Sequence, residues 1–238
     1  MVQGLLSSFG FDRCGWPGSV ASREAAPYHH RMIFLAKTGR VLASLVLLAA
    51  LTHPALADMR ADLAEMKAGQ IQTFDSTGHA KAQGLGWQVS PPKSWLGEDA
   101  PQPLVVRKFT SAEGRGPTSL IIGSSPLPPE AASRAGTLLT VDEVRALIPQ
   151  GAQNVRLSST TLNGRAASTT EYTMAETPQR LLQRGQIFYL VISGHLVVIH
   201  GMAVKPPDQT LKAFDAEWEL AKTLFHKIGS TFQIAGRK

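Results

Sequence analysis

The side chains able to do chemistry are few and widely spaced. Outside the first 57 residues the histidines are His79, His195, His200 and His226. His195 and His200 invite a metal reading, but they stand five apart in a segment that reads as a strand. An odd separation sends the two side chains to opposite faces, so a shared ion would need a bulge. His200 falls on the face of Val198 and Met202, where a core histidine held by one hydrogen bond is expected. His226 lies near the end of a predicted helix, where the helix dipole favours an imidazolium. Ser90-Pro91-Pro92-Lys93 has the S-x-x-K spacing of penicillin-recognising enzymes, and Lys37-Thr38-Gly39 matches their K-T-G. Two prolines stand where the first motif needs a helix, and the second lies in an apolar leader. Gly84-x-Gly86 lacks the third glycine and the following helix of a dinucleotide loop. Glu217 and Glu219 fall between the apolar positions of a helix and are expected on its solvated face. Glu171 and Glu176 bracket the end of a hairpin arm.

No nucleophile, metal or cofactor signature emerges from these groups, so the expectation is a non-catalytic chain with no cofactor. A small-ligand site or a hydrolase would need polar side chains converging beneath the loop at 124–139, and that is the alternative. The tryptophans are the better lead. Trp87 and Trp218 read as core. Trp95 follows a double proline and precedes Leu96-Gly97-Glu98-Asp99, which places it at a rim as a possible partner-binding anchor.

The elements that must position these residues begin after a leader. Met32 to Ala57 has the form of a secretory signal peptide. Lys37 and Arg40 supply the positive region, Val41 to Leu51 the apolar core, and Ala55-Leu56-Ala57 a small-x-small cleavage site before Asp58. An apolar core of 11 residues is short of the roughly 20 needed to span a bilayer. Residues 1–31 show no periodicity and nothing to bury. Translation from Met32 would account for them, the alternative being a disordered extension. The expectation is therefore a periplasmic or secreted domain over 58–238. The single cysteine, Cys14, lies upstream of the cut, so the exported chain has no disulfide. The whole chain carries a net charge of +6, and residues 58–238 carry half of that, with no run of basic residues longer than two. A nucleic-acid interface usually needs a clustered basic patch, and none is present.

Asp58 to Ala68 reads as a short amphipathic helix. Strands are predicted at 71–75, 84–90, 104–109, 118–123, 155–162, 166–174, 181–192 and 196–204, with a short final one at 231–234. Asn163-Gly164 is a strong two-residue hairpin signal. Thr140 to Glu143 has capping-box spacing and opens a helix ending at Pro149. A last helix is predicted from an Asp208 N-cap to Ile228, with Leu211, Phe214, Trp218, Ala221, Phe225 and Ile228 as one stripe. The runs IFYLVI (187–192) and LVVIHGMAV (196–204) do not alternate. Strands apolar on both faces must be covered on both sides. The predicted architecture is α+β: a three-layer α/β/α sandwich around a mainly antiparallel sheet.

The segment Gly86-Trp87-Gln88-Val89-Ser90-Pro91-Pro92-Lys93-Ser94-Trp95 is similar to the opening strand of the PsbP-like family. The Asn163-Gly164 hairpin, the apolar strand pair around Gly194 and a closing helix leading into Ser230-Thr231-Phe232 agree with that family in order. The resemblance implies a PsbP-like fold and a docking role on a protein or cell-envelope partner. It identifies no site residue that carries over.

Overall fold

The computed structural model describes residues 54–128, 133–176 and 181–235. Residues 1–31 and most of the predicted leader lie outside the described residues, as do 129–132 within the 124–139 loop. The two apolar runs set the architecture. Strands β8 (Leu181–Ile192) and β9 (His195–Val204) pair antiparallel in continuous register from Ile192↔His195 to Gln183↔Val204. Ser193 and Gly194 turn between them with φ of 48° and 75°, the two positive values a two-residue hairpin demands. Asn163 and Gly164, at 47° and 75°, do the same between β6 (Gln153–Leu162) and β7 (Arg165–Glu176).

With β3 (Leu96–Glu98), β4 (Val105–Thr110) and β5 (Thr118–Pro126) these form a seven-stranded sheet in the order β3-β4-β5-β9-β8-β7-β6. Every neighbouring pair is antiparallel. A second, three-stranded sheet joins β1 (Phe74–Asp75), β2 (Trp87–Val89) and β10 (Gln233–Ile234).

Side chains alternate across β8 and β9, and each face meets its own cover. One face, carrying Phe188, Leu190, Val197 and Ile199, packs under helices α1 (Pro54–Lys67) and α3 (Leu211–Ser230) and the aromatic residues of the small sheet. The other face, carrying Ile187, Tyr189, Val198 and Met202, packs under the short helix α2 (Val141–Ala146), Leu147, and the partly buried Leu127 and Leu139. The α+β class and the mainly antiparallel sheet thus follow from the sequence pattern. Two glycines make room for aromatic rings, one from the covering helix α3 and one from the neighbouring strand β7. A Cβ on Gly201 would lie 2.4 Å from the Phe225 ring, and one on Gly185 would lie 2.3 Å from the Tyr172 ring. Each aromatic ring occupies the space that a side chain would take.

Local chemistry sets the helix ends. Thr140 caps α2 in a reciprocal capping box with Glu143. Arg134 reaches back to the same carboxylate at 2.5 Å, and that hydrogen bond holds the Glu143 pKa down at about 2. The final helix starts at Thr210 as N-cap, two residues later than the predicted Asp208. Lys205 accounts for the delay, since its ammonium donates to the carbonyls of Pro206 (2.9 Å) and Gln209 (2.6 Å) and ties residues 205–209 into a turn. The first predicted strand shrinks to two residues. The three-residue β3 is an element the sequence did not reveal, and the β4–β5 connection is a tight turn with Ala112, Glu113 and Gly114 all at positive φ.

Gly201→Ala should destabilise the protein by about 1–3 kcal/mol through overpacking against Phe225. Ser159→Ala, on the exposed outer strand, should change stability by less than about 0.5 kcal/mol. Urea midpoints at constant m-value check both.

Candidate functional site

The structure puts Trp95 in the core. It is 2% exposed, because the chain turns inward after Pro91-Pro92 and buries the indole against α1. Its N–H donates to Asp62 at 2.8 Å, the Ser94 hydroxyl donates to the same carboxylate at 3.2 Å, and the Ser94 amide donates to Glu65. Gln72 donates to the backbone carbonyls of Pro92 and Trp95. The expected rim anchor is thus a clamp holding α1 to the sheet, with Asp62 supplying the acceptor that a buried indole requires. Trp87 and Trp218 are buried, as their apolar surroundings predict. The backbone of Ala55, Ala57 and Asp58 falls in the opening turns of α1.

The histidines separate as their spacing implies. His195 lies at the start of β9, its ring nitrogens near the carbonyls of Ser193 (3.0 Å) and Gln83 (3.3 Å). His200 is fully buried between Ile121 and Ile187 on the α2 face, its Nε2 2.7 Å from the Tyr172 hydroxyl. Burial pushes its pKa down to about 3, so the imidazole is neutral at physiological pH. His226 meets the Thr160 hydroxyl at 3.2 Å, tying α3 to β6. Among the described residues no group of three or more His, Cys, Asp or Glu is placed to hold a metal ion. Around His200, beneath the described part of the 124–139 loop, the packing is Val144, Leu147, Leu196, Val198 and Met202. The polar side chains of this face bond locally: Tyr172 meets His200, the Tyr189 hydroxyl donates to the Leu147 carbonyl and the Ser168 hydroxyl to that of Leu139. Glu217 also departs from expectation. It is 5% exposed and accepts from the Gln209 amide, because the turn before α3 folds back over the helix.

A cleft of about 570 Å3 opens instead between α3 and the β6–β7–β8 end of the sheet. On the helix, Asp215, Glu219 and Lys222 recur at 3/4 spacing along one flank and so face one way. On the strands, register places Arg156 opposite Glu171 and Thr173 opposite Arg184, directing these side chains to the helix side. The charges are matched across the gap. Arg184 meets Asp215 at 2.5 Å while its guanidinium lies 5.4 Å from the Phe214 ring centre. Lys222 meets Glu219 at 3.0 Å and Glu171 at 3.4 Å. Asn154 donates to the Thr173 hydroxyl at the mouth. Such partly exposed pairs contribute about 0–1 kcal/mol each, so they shape the cleft more than they stabilise the fold. Three cations and three carboxylates line this polar, open groove. Glu219 was expected on a solvated face, and it meets Lys222 of its own helix at the rim of this cleft.

No family model matches this chain, and no curated protein matches it. Solved structures do. The Saccharomyces cerevisiae Ran-binding protein Mog1p is similar at 11% identity over 69% of this chain and 95% of its own, with a TM-score of 0.42. LpqN, involved in cell envelope biogenesis of Mycobacterium tuberculosis, is similar at 15% identity over 71% of this chain and 94% of its own, with a TM-score of 0.38. Superpositions this loose carry no argument about partner or activity. The fold class rests on the strand order itself.

The buried imidazole generates a pH prediction. An unfolded histidine titrates near 6.5, whereas His200 in the fold titrates near 3. Below about pH 6.5 the unfolded chain therefore takes up a proton that the folded one refuses, and stability falls as pH falls towards 3. His200→Gln keeps a polar partner for Tyr172 and removes this component. Its stability, measured by urea unfolding from pH 7 to 4, should decline less steeply than the parent's, by up to about 1.4 kcal/mol per pH unit. Equal slopes would mean that the imidazole is protonated in the folded state.

Proposed function

We propose that this chain is an exported, non-catalytic α+β domain that docks on a protein or cell-envelope partner, in the manner the PsbP-like resemblance implies. The observation that supports this most is the charge-lined cleft lying beside the exposed strand β6 at one end of the sheet. The two faces of the sheet are filled by their covers, whereas this end presents an extended polar surface. No helix among the described residues is long and apolar enough to cross a membrane. Export follows from the leader at 32–57. Cleavage after Ala57 would remove the first turn of α1 and leave Met59, Asp62, Leu63 and Met66 holding the rest of that helix to the fold.

Two measurements on the protein in its native host test the reading. N-terminal sequencing of the recovered protein should begin at Asp58; a chain retaining residues upstream of Ala57 overturns the export step. A photo-crosslinking residue at exposed Ser158 of β6 should give one discrete adduct in intact envelopes, while the same residue at exposed Glu113, at the far end of the sheet, should not. Adducts of equal yield at both positions, or at neither, would remove the docking assignment.

A further inference from the structure

The two edges of the seven-stranded sheet are unlike. β3 closes one side with three residues, its Glu98 paired to Lys108 of β4 at 3.3 Å. β6 closes the other with ten residues, and no described segment pairs with its outer side. An exposed edge of that length is a template for another strand, and proteins normally blunt it with lysine, proline, inward charge or bulges. β6 has a bulge only at its start, between Gln153 and Arg156, where Asn154 sits at φ 52°. From Arg156 to Leu162 the register with β7 is unbroken, and the sequence RLSSTTL contains no proline, no lysine and no acid. Serine, threonine and leucine suit a half-exposed strand, and Arg156, Ser158, Ser159 and Thr161 are exposed.

The charge pattern selects the kind of strand. Arg156 is the sole ionised residue of β6, and it points to the cleft side. Its cross-strand neighbour Glu171 is engaged by Lys222, and among the described residues Arg156 has no ion-pair partner. Next to it, Leu157 turns to the opposite face, where it packs on the edge of the α2-side core. We propose that β6 takes up an extended segment of a partner protein as an eighth strand. That segment places a carboxylate beside Arg156 on the α3 side and apolar residues at the flanking positions on the α2 side. Main-chain hydrogen bonds supply the affinity, and the carboxylate with its apolar neighbours supplies the choice. The inference rests on the docking reading above and names its surface and its ligand chemistry.

The probe is the blocked peptide Thr-Thr-Val-Asp-Val-Thr-Thr, whose side-chain order is the same in either direction, so that it can present its aspartate to Arg156 in a parallel or an antiparallel pairing. Its control has lysine in place of the aspartate. Amide hydrogen exchange of the protein with the aspartyl peptide should slow at 156–161 and not at 96–98. The lysyl peptide should bind about ten-fold more weakly. R156E, a surface substitution outside the core, should reverse that preference. Methylating alternate peptide nitrogens should abolish binding in one phase and leave it in the other, as strand pairing alone requires. Absence of slowed exchange at 156–161, or equal binding of the two peptides, overturns the proposal. So does slow exchange without peptide at those amides of 156–161 that do not bond to β7, because the chain itself would then cover the edge; if that slowing grows with protein concentration, the occupant is a second copy. The crosslinking result at Ser158 stands apart from all of these, so the strand can fail while the docking reading survives.

Discussion

The fold depends on one constraint: the central strands β8 and β9 are apolar on both faces, so no part of either face can be left to water. Burying one large aliphatic or aromatic side chain is worth about 1.5–3 kcal/mol, and Phe188, Leu190 and Ile199 on one side and Ile187, Tyr189 and Val198 on the other all need cover. The long helix α3, the clamp on α1 and the short α2 are the answers to that demand. The covers are unequal. The α1–α3 side is a continuous layer joined to a second sheet, whereas the α2 side relies on six helical residues and pinned loop segments.

Polar groups inside this interior serve the same demand. The Tyr172 ring sits over Gly185, and that seat brings its hydroxyl to His200. Asp62 meets the Trp95 indole, and Gln209 meets Glu217, each a buried polar atom matched where a missing partner would cost about 1–3 kcal/mol. His200 and Trp95, which had looked most chemical in the sequence, therefore belong to the interior, and the charged cleft is made from groups with no motif at all.

How much of this was legible follows from how local each signal is. The Asn163-Gly164 turn fixes 162↔165 and with it the pairing of Arg156 with Glu171; Ser193-Gly194 likewise fixes 192↔195 and hence Ile187 with His200. Within each hairpin, register could be counted from the turn. Between hairpins it could not, since the pairing of β7 with β8 depends on a longer connection, and so the cleft formed by Glu171, Arg184 and α3 had no sequence signature. Trp95 was misplaced for a similar reason. Its acceptor, Asp62, lies 33 residues away, and nothing near the tryptophan announces that a carboxylate will meet it. The late start of α3 was hidden because Asp208 is as good a cap as Thr210 on composition, and only the Lys205 turn chooses between them.

The unequal edges also give the sheet a direction of growth. A stack of strands extends without limit only if each added unit offers a fresh template on its far side. Here the far side is a three-residue stub. Two copies meeting through β6 would consume both templates and stop at a pair, and a single foreign strand would leave only the edge it brought. The unequal edges thus make a sheet that can be extended on one side and is closed on the other.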